Sequence, residues 1–290
     1  MRVCPVCHEQ PRQVEPIRSS FSSITFELGV CVACQMGLVL NPRTDFAQLY
    51  GPEYYEGRGA DPLINYVADE MAGSAREIEW NGIVQTVSKI AISRGQDASS
   101  LRLLDWGAGL GGLVRTARTC GINADGLDEG YASKVLDEKG LMAPALPELS
   151  EQYDVVTAIE VVEHLVDPLS EMRSMASCLK PNGFLFITTG NFSKVRGSLN
   201  KWYYAQIPDV HVTFWSPMAW AKGLRQVGLD VAPLPIVRVD PRIIQYKVTK
   251  ALPKYRRPLA SLLRLSSIPT RLIDARYGIS EFAIGVKPSS

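Results

Sequence analysis

The sequence predicts an α/β protein, with a Rossmann-like, seven-stranded mixed sheet, helices on both faces and a small N-terminal zinc ribbon. The first observation is an apolar, strand-length run that ends at Asp105 and leads into a glycine-rich turn and a helix-like segment. The second is the alternation of strand-like and helix-like segments after that turn, which is typical of a sheet covered on both faces. The third is two Cys-x-x-C pairs near the N-terminus, a spacing that indicates a zinc site.

The N-terminal pairs supply four thiols from two tight turns. Zn²⁺ prefers four thiolates in a tetrahedron, so the pairs predict a closed, structural zinc site. The stretch between the pairs has room for two strands, at 13–18 and 24–30, joined by a serine-rich turn. So small a module cannot bury enough apolar surface to fold without the metal. The predicted ligands are Cys4, Cys7, Cys31 and Cys34.

Composition divides the chain into three parts. Residues 1–42 are predicted to form the zinc module, 43–95 a connector and leading helix, and 96–290 the main domain. The connector is rich in proline and glycine, as connectors are, but it is also rich in tyrosine. Tyr54 and Tyr55 either cap the cofactor cleft or pack the module onto the main domain.

The elements of the main domain follow from hydrophobic periodicity and from Gly and Pro at segment ends. A long helix at 63–94 precedes the first strand, which ends at residue 105. The later helices are predicted at 113–119, 131–139, 169–179 and 216–227. The later strands are predicted at 123–128, 141–149, 153–160, 183–189, 229–239 and 280–286, with a basic insertion at 240–277 between the last two. The strand at 141–149 is weakly marked because it contains two prolines.

The glycine-rich turn after Asp105 has the composition of a cofactor-binding loop. Glycines let the backbone approach a ligand without Cβ clashes, and the helix N-terminus that follows favours negative charge. Two patterns fit this turn. Gly107, Gly109 and Gly112 satisfy G-x-G-x-x-G, with Asp128 at about the 20-residue spacing of nicotinamide or flavin sites. The alternative is D-x-G-x-G-x-G, which runs from Asp105 to Gly111.

The D-x-G-x-G-x-G pattern after an apolar strand resembles motif I of the class I S-adenosylmethionine (SAM) methyltransferases. The run E-V-V-E-H-L-x-D-P, beginning at Glu160, resembles motif IV of many small-molecule methyltransferases, and the later L-K-P-x-G-x-L is typical of the same family. The resemblance implies that SAM is the cofactor, that the glycine loop backs its amino-acid part, and that Asp128 holds its ribose hydroxyls. The implied cofactor-binding residues are Asp105, Gly107, Ala108, Gly109, Gly111, Asp128 and Glu160.

The residues predicted to carry the chemistry follow a later strand. Glu160, Glu163 and His164 form an E-x-x-E-H pattern, and His211 lies in a later loop. If a helical turn starts at Glu160, the first three share one face. The pattern with a distant histidine resembles the metal site of small-RNA 2′-O-methyltransferases, and the pattern alone resembles one in ubiquinone-pathway O-methyltransferases. Three interpretations stay open: the four residues bind Mg²⁺ or Mn²⁺, His164 or His211 is a direct base, or the pattern is structural.

The acceptor side is predicted from the aromatic loop at 191–209, where Trp202 and Tyr203 are expected to contact the substrate. The zinc module and tyrosine-rich connector resemble those of zinc-module methyltransferases of bacterial sugar and secondary metabolism. The resemblance favours O-methylation of a sugar, a nucleotide-sugar or another small hydroxylated metabolite. The alternatives are C- or N-methylation of such a molecule, 2′-O-methylation of RNA, and an inactive SAM-fold binding protein. The basic insertion fits a phosphorylated or lipid-linked acceptor, or a solvated cap.

Net charge and hydropathy restrict the kinds of molecule that the protein is expected to bind. A net charge of +1 over 290 residues gives no general attraction to nucleic acid or to a membrane surface. No apolar stretch reaches the length of a transmembrane helix, and the N-terminus lacks the apolar core of a signal peptide. With thiols paired for a metal, these features predict a cytoplasmic protein whose partner is a small-molecule acceptor and not nucleic acid. The sequence does not determine the oligomeric state.

Overall fold

The structure is a computed structural model and describes residues 2–62, 64–71, 73–195, 202–233, 239–251 and 280–289. Within those ranges no helix is long and apolar enough to cross a bilayer. Most of the basic insertion predicted at 240–277 lies outside the described residues.

The N-terminal part of the chain holds three short strands followed by four helices. The strands are β1 (Arg12–Arg18), β2 (Thr25–Val30) and β3 (Gly37–Val39). The helices are α1 (Phe46–Leu49), α2 (Pro52–Tyr55), α3 (Tyr66–Asp69) and α4 (Ala75–Ser93). The single helix predicted at 63–94 is therefore wrong. It is replaced by α3 and α4, because the side chains of Asn65 and Ser74 each cap a new helix N-terminus.

The main domain alternates strands and helices. Its strands are β4 (Arg102–Trp106), β5 (Asn123–Leu127), β6 (Tyr153–Ile159), β7 (Leu179–Thr189), β8 (Thr213–Phe214), β9 (Asp230–Ala232) and β10 (Glu281–Val286). Its helices are α5 (Gly112–Thr119), α6 (Gly130–Glu138), α7 (Pro168–Cys178), α8 (Pro217–Gln226) and α9 (Pro241–Ala251). Asp167 and Ser216 cap α7 and α8, each followed by a proline whose missing N–H costs the helix nothing there.

The main sheet confirms the predicted mixed α/β fold, with one difference in strand count. Its order is β5-β4-β6-β7-β10-β9; β4 to β7 are parallel, and β10 is antiparallel to both neighbours. The described sheet thus has six strands rather than seven. The segment at 141–149 contributes only a bridge between Gly126 and Met142 and a 3-10 turn over Leu146–Leu149. Two prolines in that segment cannot donate ladder hydrogen bonds.

Both faces of the sheet are buried, as a parallel sheet requires. Successive residues of β7 point to opposite faces. Phe184 and Phe186 enter one core with residues of α4, α5 and α9, whereas Leu185 and Ile187 enter the other with residues of α7 and α8. Helices on both faces leave the carboxyl ends of the strands as the open edge.

A second sheet joins the N-terminal module to the main domain. Its order is β1-β2-β3-β8, and β3 pairs antiparallel with β8 through Gly37 with Phe214 and Leu38 with Thr213. The edge of the cysteine module is thus completed by a strand that begins two residues after His211. This sheet crosses the domain boundary that we predict at residue 42.

Candidate active site

A cavity of about 760 Å³ lies at the carboxyl ends of β4, β5 and β6. Open α/β sheets bind ligands at that edge, and this volume is in the range of ligand-binding clefts. The loops after the three strands line the cavity, together with the tyrosine-rich connector and side chains from α4 and α9. The residues predicted to bind a cofactor, except Gly111, line this cavity together with the four predicted to carry the chemistry.

The turn after β4 is built for close approach to a ligand. Gly107 has φ +73° and Gly111 has φ +91°, backbone conformations that side chains rarely adopt. A Cβ on Gly107 would lie 2.5 Å from Val161, and one on Gly111 would lie 2.5 Å from Leu141. Gly109 also has positive φ, but its missing Cβ points to open space. The turn is thus packed tightly from behind and open towards the cavity.

Two acids stand at the ends of adjacent strands in this cavity. Asp105 is 4% exposed, and its Oδ1 accepts the Thr157 hydroxyl at 2.7 Å. Asp128 accepts the Gly109 N–H at Oδ2 and the Glu129 N–H at Oδ1, both at 2.7 Å. Burial raises the pKa of Asp105 to about 7 and that of Asp128 to about 6. Both groups can accept further hydrogen bonds from a polar ligand, most strongly when ionised.

Glu160, predicted as a cofactor, catalytic and cation residue, is occupied by other protein groups. Its φ of +56° is unusual for a residue with a side chain. Its carboxylate accepts the Thr188 hydroxyl at 2.9 Å, the Tyr204 hydroxyl and the Lys247 ammonium. Burial opposes the ionisation of Glu160, but the charge of Lys247 and these hydrogen bonds outweigh it and lower its pKa.

The predicted helical turn that would align Glu160 with Glu163 and His164 does not form. A 3-10 turn spans only Val162–His164, so Glu160 stays at the strand end. Of the four predicted residues, Glu163, His164 and His211 bring their donor atoms within 4.8 Å of one another. The predicted four-residue site is therefore wrong in one member. Lys247, distant in sequence, explains the difference because it binds Glu160.

Glu163 and His211 are buried against the cavity with few partners of their own. Glu163 is 1% exposed, and neither oxygen of its carboxyl group makes a standard hydrogen bond to a described residue. Burial and the charge of Glu160 raise its pKa well above the usual value. His211 Nδ1 lies 2.9 Å from the Tyr204 carbonyl oxygen, so that nitrogen donates and Nε2 carries the lone pair. Burial lowers the pKa of His211 to about 4, so the ring is neutral at pH 7.

His164 is held more fully than His211. Its Nδ1 lies 2.9 Å from the Tyr50 hydroxyl, and its ring also hydrogen-bonds the Val210 carbonyl. The two imidazole rings are 4.7 Å apart, edge to face. Burial lowers the pKa of His164, and repulsion between the two rings when both are protonated lowers it further. Sequence reasoning missed Tyr50, although the density of tyrosines in the connector was the available signal.

The predicted substrate contacts divide between the cavity and the core. Tyr54 and Tyr55 are buried and line the cavity, where the Tyr54 hydroxyl lies 3.1 Å from that of Tyr66. Trp202 does not line it. Its ring packs against Phe192, Phe214 and Tyr204, so the expectation that Trp202 faces the acceptor is wrong. The side chain of Tyr203 lies outside the described part of the structure.

The four N-terminal cysteines fit a metal centre. Their sulfur atoms lie within 4.8 Å of one another, and Cys4 and Cys34 are 3.6 Å apart. A tetrahedron with Zn–S bonds of about 2.3 Å has sulfur–sulfur edges of about 3.8 Å. The Lys222 ammonium on α8 lies 3.6 Å from the Cys7 sulfur and donates to the Ala33 carbonyl at 2.9 Å. A positive charge beside four thiolates would offset part of their negative charge.

The parallel sheet, the open glycine turn and the acids at adjacent strand ends define an α/β enzyme that binds a nucleoside-containing cofactor at its sheet edge. Residues 75–234 match the family described as a methyltransferase domain. This match covers more than half of the chain, so the chain belongs to that family and is a SAM-dependent methyltransferase. The nicotinamide or flavin interpretation of the glycine pattern is therefore wrong.

Individual relatives agree with this assignment. The chain is similar to the ubiquinone biosynthesis O-methyltransferase of Marinobacter nauticus, at 31% identity over 169 residues, covering 51% of this chain and 71% of the relative. It is 38% identical over 105 residues to the enzyme of the same name from Ruegeria pomeroyi, of which it spans only 42%. Phosphoethanolamine N-methyltransferase 2 of Haemonchus contortus, solved with S-adenosyl-L-methionine, shares the fold with a TM-score of 0.53 and 17% identity, covering 85% of this chain and 60% of that one.

Proposed function

We propose that the protein transfers the methyl group of SAM to a hydroxyl of a small metabolite, with His211 as the general base. The observation that carries the proposal is the position of the His211 ring, which lines the cavity with Nδ1 bound to the Tyr204 carbonyl and Nε2 without a hydrogen bond to a described residue. Burial lowers the pKa of this ring to about 4, which keeps it neutral. A base of this kind has to be neutral before the reaction and close to the proton that it removes. Asp105, Asp128 and the glycine turn, which line the same cavity, are proposed to hold SAM.

The proposed step balances without a further reactant. As the acceptor oxygen forms a bond to the methyl carbon, the bond from that carbon to the SAM sulfur breaks. The hydroxyl proton moves to Nε2 of His211, while Nδ1–H continues to donate to the Tyr204 carbonyl. The positive charge of the sulfonium thus ends on the imidazole until it is lost to solvent. The products are the methyl ether and S-adenosylhomocysteine.

The acceptor that the cavity favours is a hydroxylated aromatic ring. Part of the cavity lining is aromatic and includes Phe46, Tyr50, Tyr54 and Tyr66. Aromatic side chains stack well on a flat ring. A nucleotide-sugar would need cations for its phosphates, but Arg76 and Lys247, which line the cavity, are paired with Glu79 and Glu160. We therefore place a phenol or catechol ahead of the sugar and nucleotide-sugar acceptors that the sequence suggests. The ubiquinone biosynthesis O-methyltransferases among the relatives support oxygen as the methylated atom.

The acceptor class can be tested with methyl-labelled SAM and three candidate acceptors: catechol, a nucleoside diphosphate sugar and a short single-stranded RNA. We expect label on catechol, recovered as a methyl ether together with S-adenosylhomocysteine. Label only on RNA, or a product methylated on carbon or nitrogen, would contradict the proposal. A protein that binds SAM but labels none of several phenols and catechols would contradict the aromatic acceptor.

The same residues allow a second arrangement, in which a divalent cation takes part. Neither oxygen of the Glu163 carboxyl group makes a standard hydrogen bond within the described part of the chain, and neutral His164 and His211 lie beside it, a donor set suited to Mg²⁺ or Mn²⁺. A cation bound there would lower the pKa of the acceptor hydroxyl. We expect full activity after a chelator removes divalent ions, because His211 suffices as the base. Activity that is lost in chelator and restored by Mg²⁺ or Mn²⁺, with the zinc content unchanged, would replace the direct base with the cation.

We also propose that Cys4, Cys7, Cys31 and Cys34 bind one structural Zn²⁺. Support comes from the tetrahedral fit of the sulfur atoms and from the burial of three of the four side chains. The closed set of four thiolates has no position for a substrate, which is typical of a structural site.

The affinity for SAM is expected to fall about tenfold between pH 7 and pH 5. Asp128 accepts the ribose hydroxyls as a carboxylate, and its pKa of about 6 places its protonation inside this range; Asp105 acts in the same direction. Because burial raises both pKa values above those of the unfolded chain, the ligand-free protein should conversely lose stability as the pH rises from about 4 to about 7. Calorimetric titration with SAM, and denaturant unfolding of the ligand-free protein, measure the two effects.

Asp128→Asn should bind SAM more weakly at pH 7 and show a smaller loss on acidification. Glu138→Gln removes an exposed carboxylate on α6 and serves as the matched control. Equal affinity at pH 5 and pH 7, or the same pH dependence in Asp128→Asn as in the control, would exclude the proposed role of Asp128.

A further inference from the structure

We propose that Arg2 and strand β3 position Glu163 and His211, so that the cysteine module supports the active site. The inference rests on the role proposed for His211. The Arg2 guanidinium donates from Nη1 to the carbonyls of Val39 at 2.8 Å and Val212 at 2.9 Å. Its Nη2 donates to the Val166 carbonyl at 2.7 Å. A planar guanidinium holds several acceptors in a fixed arrangement that a lysine cannot reproduce.

The three carbonyls belong to three different segments of the chain, two of which line the cavity. Val39 ends β3 of the cysteine module. Val212 is the neighbour of His211, and Val166 follows the turn that carries Glu163 and His164. Arg2 thus joins the module to both of the segments that supply the proposed chemistry. This contact spans more than 200 positions of the chain, from Arg2 to Val212.

Backbone hydrogen bonds run through the same residues. The Val39 N–H donates to the Val212 carbonyl at 3.1 Å, and the Val212 N–H donates to the Glu163 carbonyl at 2.7 Å. The Thr213 hydroxyl donates to the Val162 carbonyl at 2.8 Å, and β3 pairs with β8 immediately afterwards. The segments carrying Glu163 and His211 are therefore connected to each other and, through Val212, to β3.

These backbone contacts matter because few side-chain hydrogen bonds hold Glu163 and His211 in place. Neither oxygen of the Glu163 carboxyl group makes a standard hydrogen bond to a described residue. The His211 ring hydrogen-bonds the Tyr204 carbonyl and otherwise packs against the rings of His164 and Tyr204. Their positions depend on the segments that Arg2 and β3 join. A displacement of about 1 Å in a catalytic group can cost about 100-fold in rate. The cofactor acids are instead held by Thr157, Gly109 and Glu129, whereas the hydrogen bonds of Arg2 go to Val39, Val166 and Val212.

The test compares Arg2→Ala and Arg2→Lys with Arg12→Ala, which removes an exposed arginine from β1 of the same module. Hydrogen–deuterium exchange is followed in peptides covering 161–166 and 209–214, with β4 as the internal reference. Methyl transfer to catechol, SAM affinity and zinc content are measured in parallel. For Arg2→Ala we expect exchange in both peptides to be about tenfold faster and kcat to be about 10- to 100-fold lower. SAM affinity should stay within about twofold, zinc should be retained, and Arg2→Lys should be intermediate.

The outcomes separate this inference from the proposed function. Unchanged exchange and kcat in Arg2→Ala would overturn the positioning role, whatever His211 does. Losses of SAM affinity and of β4 protection in parallel with kcat would also overturn it, because they indicate general unfolding. If Arg2→Ala does not fold, Arg2→Lys decides by the same measurements. Normal kcat in a His211 variant would instead refute the proposed base, while the exchange result still reports on Arg2.

Discussion

His211→Ala is expected to lower kcat by about 1,000-fold, within the range that a positioned general base contributes. The substitution removes the Nε2 lone pair that we propose takes the acceptor proton, and no other described histidine replaces it, because His164 is bound to Tyr50 and to the Val210 carbonyl. The affinity for SAM should change little, since the acids proposed to hold it are anchored elsewhere. Single-turnover transfer of labelled methyl from SAM to catechol measures the chemical step.

The control for this variant is the exposed histidine of the N-terminal module. The chain contains three histidines, and His8 is exposed with φ +59°, a conformation that asparagine tolerates. His8→Asn should retain the rate of the unmodified protein. A rate in His211→Ala within a few-fold of that control would remove His211 from the reaction. A large loss in His164→Ala alone would move the role of the base to the other ring.

Removing the zinc ion that we propose for the cysteine cluster is expected to cause the largest loss of stability. Binding of a structural Zn²⁺ to four thiolates contributes about 10 kcal/mol or more to the folding of a small module. In Cys31→Ser one ligand is lost, so we expect the zinc content to fall from one ion per chain towards zero and the unfolding midpoint to drop by about 10 °C or more. Metal analysis and scanning calorimetry provide the two measurements.

The effect should extend into the main domain, because the cluster is part of a shared core. Cys4, Cys31 and Cys34 pack in the same core as Trp215 and Trp220. Cys120→Ser is the matched control, since Cys120 is exposed and lies outside the cluster. A purified protein without zinc, or a Cys31→Ser variant as stable as the control, would show that the cluster is not a structural metal site.

The local sequence was sufficient to predict the glycine-rich turn after β4. Asp105, the three glycines after it and Asp128 are placed by strands and turns whose residues are neighbours in the chain. Positions 107 and 111 require glycine because their φ is positive and because a Cβ there would clash with Val161 or Leu141. Parallel strands end at one edge, so two acids at the ends of β4 and β5 had to share a cavity. The loop after β6 lies at the same edge because β6 is parallel to β4.

The sequence by itself determined the α/β fold, the glycine turn with its two acids and the two Cys-x-x-C motifs, because each depends on short-range geometry or periodicity. Only the tertiary structure decided that Glu160 binds Lys247, that Trp202 packs in the core, that Tyr50 lines the cavity, and that Arg2 bonds the carbonyls of Val39, Val166 and Val212. These contacts join segments far apart in the chain, and spacing along a sequence carries no information about which distant side chain will fill a given space. Packing and burial select those partners once the elements have come together.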